Sequence, residues 1–252
     1  MRKASDVKVA MVTGGGFGLG EAIARKFAAR GYHVVVAGRN LQRCREVGDS
    51  IGGLAVAANV TRELDVAALF AACAEKFGRL DVLVNNAGGV LPWNRIEDIP
   101  TADWDRLFAL NLGGVMLCTR QAVPLLKQQG GAIINIASRV GLRGIALQAA
   151  YSASKFAVVG FTEATAAELG PYKIRVTALC PAAVRTKTQL ARMAARAAVG
   201  ADDEAGPSDA GERGSGAIEG LIEPDEIADA AVFLADASAV TGTAIGMGPV
   251  TP

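Results

Sequence analysis

Short, almost continuously apolar runs recur along the chain. They fall at VKVAMV (7–12), HVVVAG (33–38), LAVAANV (54–60), LDVLVNNAG (80–88), GAIINIAS (131–138) and KIRVTALC (173–180). Parallel strands covered on both faces read this way, whereas a half-exposed strand alternates apolar with polar. Between them, 18–30, 41–51, 63–77, 101–129 and 149–169 have the length and composition of helices. A last helix begins at PDEIADAAVFLAD, with Pro224 suited to a first turn and Asp225 and Glu226 facing the positive end of its dipole. A short strand is expected near 243–247. Strands alternating with helices predict right-handed β-α-β units. The expected fold is therefore α/β: a Rossmann-type, doubly wound parallel sheet of about seven strands, in a single domain. The pattern changes at 186–222, where a basic, Ala-rich helical piece runs into GADDEAGPSDAGERGSG. This polar, Gly-rich stretch is too short for a second domain and reads as a mobile substrate lid.

Composition narrows the function. Of 252 residues, 51% are hydrophobic and 30 are glycine, enough for a large core and many tight turns. Basic and acidic residues number 26 and 25, a net charge of +1 that offers no electrostatic basis for binding nucleic acid or an anionic membrane. The N-terminus does not read as a secretion signal, and no apolar run approaches a membrane span. Cys44, Cys73, Cys118 and Cys180 are scattered, as small buried residues of a reducing compartment would be. A cytoplasmic protein is expected. His33 is the only histidine and sits at the start of an apolar run, where a structural role is expected; a Ser-His-Asp or Cys-His engine would have to use it, a His-based zinc site lacks ligands, and no metal is expected.

VTGGGFGLG follows the first strand and opens the first helix. Its glycines are spaced as Gly14, three residues, Gly18, one residue, Gly20, with Gly16, Phe17 and Leu19 between them. A tight turn, close backbone approach and bare helix N–H groups are what a pyrophosphate needs, so this loop predicts a dinucleotide. The second strand ends in VVVAGRN. A cofactor with a free ribose 2′-hydroxyl favours a carboxylate there, but Gly38 holds that place and Arg39 follows. A guanidinium pairs with a 2′-phosphate, so NADP is expected over NAD.

YSASK places Tyr151 and Lys155 one helical turn apart on one face. An ordinary phenol has a pKa of about 10, and a nearby ammonium favours its ionised form, so the spacing suits a proton donor tuned by a cation. TGGGFGLG (13–20), NNAG (85–88), Asn111 in ALNLGG, Ser138 in NIAS and YSASK (151–155), in this order and spacing, resemble the short-chain dehydrogenase/reductase family. The resemblance runs from about residue 7 to 185 and resumes over 224–242. It implies Tyr151 as acid/base, Lys155 as its electrostatic partner and a ribose ligand, Ser138 as the carbonyl-polarising hydroxyl and Asn111 as the holder of a water. It implies further cofactor contacts from Asn59 and Val60, from Asn86, Ala87 and Gly88, and from Pro181, Val184 and Thr186. It also implies a dimer or tetramer built through the long helices at 101–129 and 149–169.

Three departures from the family pattern stand out: Asn59 in place of the usual Asp, Ala182 after Pro181 in place of Gly, and a tail reading AIGMGPVTP. The substrate is expected to be a small ketone or secondary alcohol with an apolar body, walled by Val140, Gly141, Leu142 and Arg143, by Leu147 and Gln148, by 89–93 and by the lid. Two other readings stand beside this one. One is a 3-oxoacyl-thioester reductase, with Arg192 and Arg196 meeting an acidic carrier protein. The other is a non-catalytic NADP-binding sensor or scaffold.

Overall fold

The apolar runs become the parallel strands of one sheet, most deeply buried at its centre. A computed structural model describes residues 7–198 and 221–248; the loop expected to complete the lid, the side chain of Arg196 and the end of the tail lie outside the described residues. The strands are β1 (Val9–Thr13), β2 (His33–Gly38), β3 (Leu54–Ala57), β4 (Val82–Asn85), β5 (Gly131–Ile136), β6 (Ile174–Pro181) and β7 (Thr243–Met247). They form one sheet in the order β3-β2-β1-β4-β5-β6-β7, all parallel. The helices are α1 (Gly18–Ala29), α2 (Leu41–Ser50), α3 (Glu63–Phe77), α4 (Thr101–Phe108), α5 (Gly114–Leu126), α6 (Ala149–Leu169), α7 (Lys187–Ala198) and α8 (Pro224–Asp236).

Alternation within the strands explains the two-sided burial. In β1, Ala10 and Val12 join a core with Ile23 and Phe27 of α1, Val47 of α2 and Ile227 and Ala231 of α8. Val9 and Met11 face the other way, onto Leu69 and Phe70 of α3, Cys118 and Ala122 of α5 and Leu169 of α6. Each face is sealed by helices, so the strands need no polar side. All four cysteines are buried and free.

Several strands are shorter than their apolar runs, β4 among them, and two differences bear on the site. β3 stops at Ala57 because Asn59 turns the chain: its Oδ1 accepts from Thr61 N–H (3.2 Å) and Thr61 Oγ1 (3.0 Å), while its own N–H donates to Asp65 Oδ2 (3.0 Å). The single helix expected over 101–129 is interrupted. Ala109–Gly113 forms a wide π-helical turn, closed by Gly114 N–H donating to Ala109 O, between α4 and α5. One surplus residue in the turn brings Asn111 inward, to 1% exposure.

The chain runs β1, β2, β3 to one side and returns with β4 on the other side of β1. The carboxyl ends of β1 and β4 therefore flank the point where the winding reverses, the place where open α/β sheets hold ligands.

Candidate active site

Thr13, the last residue of β1, ties the two sides of this crevice together. Its Oγ1 accepts from Asn86 and Ala87 N–H (both 3.1 Å) and donates to Val84 O (3.3 Å). Asn86 Nδ2 donates back to Thr13 O at 2.9 Å and Gly14 O at 3.3 Å. Gly14 has φ +65°, which an L side chain resists. A Cβ on Gly20 would lie 2.1 Å from Gly14 O and 2.5 Å from Asn86 Nδ2, so only glycine lets the first turn of α1 lie on the strand end. That turn has no side-chain cap, which leaves its backbone N–H groups facing the crevice mouth.

The loop therefore fits a dinucleotide phosphate: bare donors, a dipole of the right sign and no side chain in the way. Gly14, Gly16, Phe17, Gly18, Leu19 and Gly20 are the residues that would hold it. Thr186 closes over them, its Cγ2 3.7 Å from where a Cβ on Gly18 would stand. Arg39 is exposed at the end of β2. Arg43, which the sequence reading passed over, sets its guanidinium 5.5 Å from the Phe17 ring centroid on the same side. Val60 is buried beside α5, and Asn59 has its Oδ1 engaged in the turn, leaving Nδ2 as its donor. Ala182 is not in a left-handed conformation; its Cβ packs on the α8 side of the sheet and its N–H donates to Met247 O at 2.7 Å. Val184 pairs with Ile222 in a short parallel bridge, which pins both ends of the segment carrying α7.

The candidate chemical groups meet across β5 and α6. Ser138 sits just beyond β5 and its Oγ accepts from Val140 N–H (3.4 Å). The following turn, Arg139–Gly141, lies directly on α6: a Cβ on Gly141 would come within 2.8 Å of the Lys155 backbone. This contact brings the Ser138 hydroxyl close enough to Tyr151 to favour its ionised form. Lys155 is 6% exposed; its Nζ donates to Ile136 O (2.9 Å) and stands 5.9 Å from the Tyr151 ring centroid. Asn111 links the layers, Oδ1 accepting from Gly89 N–H (2.8 Å) and Nδ2 donating to Gly89 O and Ser154 Oγ (both 3.0 Å). Ser154 was legible only as a small residue in YSASK, and its polar role needed the fold.

The electrostatics differ from the simple picture of an ammonium acidifying a phenol. In the protein alone, burial pushes Tyr151 above the ordinary phenol value; the Ser138 hydrogen bond and the charge of Arg192 pull the other way without overcoming it. Burial also lowers Lys155 to about 8, with the nearby Cys180 thiol opposing. Desolvation dominates both shifts, and neither group counts among the causes of the other's. Arg192, half-buried on α7, is held by its Nη1 donating to Gln189 Oε1 at 3.0 Å. Among the expected substrate residues, Gln148 is buried beside Tyr151, Val140 is partly covered and Arg143 faces solvent.

The short-chain dehydrogenase family model matches residues 8–197. The chain belongs to the short-chain dehydrogenase family. It is 38% identical over 206 residues to a 3beta-hydroxysteroid dehydrogenase of Mediterraneibacter gnavus, covering 76% of this chain and 75% of that one. Its fold superposes on an actinorhodin polyketide ketoreductase crystallised with NADPH, with a TM-score of 0.87, 32% identity and coverage of 98% and 97%. A 3-ketoacyl-(acyl-carrier-protein) reductase from Brucella melitensis complexed with NADH gives 0.82, 37%, 96% and 97%. This short-chain dehydrogenase is an NAD(P)-dependent oxidoreductase acting on CH–OH groups. Among its described residues, no helix is long and apolar enough to cross a membrane.

Proposed function

We propose that this short-chain dehydrogenase interconverts a ketone and a secondary alcohol, with NADP(H) as its cofactor and Tyr151 as the acid and base. The observation that carries the reading is the gathering of Ser138, just beyond β5, against the start of α6, where Tyr151 and Lys155 stand one turn apart beside the reversal point of the sheet. A bound nicotinamide supplies or accepts the hydride. Ser138 and Tyr151 hydrogen-bond the substrate oxygen as negative charge grows on it, and Tyr151 Oη gives up its proton in reduction. Lys155, anchored on Ile136 O, positions the ribose and keeps a positive charge beneath the phenol. Because burial holds the free phenol high, the protein keeps Tyr151 protonated at neutral pH, ready to donate. Asn111 holds the first turns of α6 against the loop after β4.

Arg39 at the end of β2, with Arg43 beside it and no carboxylate at that strand end, supports NADP over NAD. Comparing kcat/KM with NADPH and NADH tests this, and a preference for NADH would overturn it. Ketone-dependent NADPH oxidation should fall at least about 100-fold in Tyr151→Phe. NADPH binding without any turnover of ketones or alcohols would favour the sensor reading instead. The 3-oxoacyl-thioester reading is supported by the relative from Brucella melitensis and by Arg192 at the mouth of the site. A homo-oligomer is supported by Met116 of α5 and Phe156 of α6, exposed at 38% and 45% on the helices expected to form the contact. Light scattering on Phe156→Glu, with a monomer as the expected result, tests it.

A further inference from the structure

Gly16 and Gly38 do not have a positive φ, so their backbones would admit an L side chain. Room is what they lack. A Cβ on Gly38, the last residue of β2, would lie 3.0 Å from Cys44 Sγ; apart from its own chain neighbours, no other atom of the described residues would come within 4 Å. A Cβ on Gly16 would lie 3.2 Å from the same sulfur and 3.1 Å from the Cys44 backbone nitrogen. One thiol therefore fills the space beside both glycines. It is 1% exposed and belongs to the core that holds Val12, Val36 and Val47. Burial raises its pKa, so it stands there as an uncharged filler.

The surroundings hold these parts in place. Cys44 N–H donates to Asn40 O (3.1 Å) and Arg43 N–H to Asn40 Oδ1 (3.1 Å), which fixes the first turn of α2. Gly15 N–H donates to Ala37 O and Ala58 N–H to Gly38 O, both at 3.0 Å, so the end of β2 is tied on two sides. A side chain at 38 must therefore displace the thiol. Resting on the NADP reading above, we infer that Cys44 is a positioning residue for cofactor choice: its thiol keeps residue 38 a glycine, and so keeps from the end of β2 the carboxylate that a free ribose 2′-hydroxyl favours. A 2′-phosphate paired with Arg39 needs no such group. Part of the selectivity that VVVAGRN carries in sequence thus resides on α2, acting through residue 38.

The test is a double-mutant cycle, read by fluorescence titration of NADPH and NADH on wild type, Gly38→Asp, Cys44→Ala and the double variant. Wild type should bind NADPH more tightly. Gly38→Asp should weaken NADPH, because a carboxylate meets the 2′-phosphate, yet gain nothing for NADH while the thiol stands in its way. Adding Cys44→Ala to Gly38→Asp should tighten NADH about tenfold or more, beyond the product of the single effects. Cys44→Val, which refills the space, should give no such gain in the same background. A cysteine that only packs the core would move both cofactors together. Thermal melts establish folding; if Gly38→Asp does not fold, Gly38→Ala takes its place, and should weaken NADPH binding with Cys44 present but not with Cys44→Ala. An additive cycle, or an NADH gain of about tenfold in Gly38→Asp alone, overturns the inference and leaves the NADP reading standing. A wild-type preference for NADH removes both.

Discussion

Lys155→Met, in the chain without cofactor, should change the shape of the stability–pH curve. The ammonium is 6% exposed, and burial lowers its pKa from 10.5 to about 8. That gap is worth roughly 3 kcal/mol, the excess cost of keeping the charge inside the fold. Below about pH 8 both folded and unfolded chains carry the proton, and the full cost is present. Between about 8 and 10.5 the folded chain has lost the proton while the unfolded chain retains it, so stability rises with pH. Above 10.5 both are neutral and the cost is gone. Methionine carries no such cost at any pH. Urea denaturation of both proteins from pH 6.5 to 11 should therefore show the wild type gaining about 3 kcal/mol on the variant across that window. Cys180 feels the Lys155 charge and titrates nearby, so both proteins should carry Cys180→Ala. Parallel curves would refute the reasoning, because they would mean that the folded chain keeps its proton as firmly as the unfolded one.

Arg175→Met should lower stability by about 3 kcal/mol in denaturant, since the guanidinium donates to the carbonyls of Leu234 (2.5 Å), Ala235 (2.6 Å) and Ala237 (2.9 Å) at the end of α8. Gly20→Ala should cost about 1–3 kcal/mol of stability and weaken NADPH fluorescence titrations, because its Cβ would strike Gly14 O. Thr162→Val removes the acceptor of buried Asn135 Nδ2 (2.9 Å), and the melting temperature should drop by the equivalent of about 1–3 kcal/mol.

Much of this architecture could be read from local signals. β2, α3 and α6 begin and end where the apolar runs and helical stretches placed them; α3, for one, is closed by Gly78 with φ 68°. The proposed catalytic set is legible for a different reason: Tyr151 and Lys155 are one turn apart, and Ser138 sits just beyond β5, which pairs with β6. What escaped the sequence depends on distant atoms. The π-helical turn has no composition of its own; nothing in ALNLG separates it from a regular helix. The buried chain from Asn85 through Asn135 to Thr162 joins three elements far apart in sequence. The raised phenol of Tyr151 is a sum over everything that excludes water from it, and Arg192 reaches it from a helix that sequence spacing leaves unplaced.

The surplus residue at Ala109–Gly113 constrains how this stretch can vary. Deleting any one residue there would restore regular winding, but would swing all of α4 by about 100° relative to α5. Asn111 would then leave Gly89 and Ser154, and the loop after β4 would lose its tether to α6. Changes of length are therefore costly in this segment, and libraries meant to reshape the enzyme should leave the count alone and keep Asn111, whose hydrogen bonds form the tether.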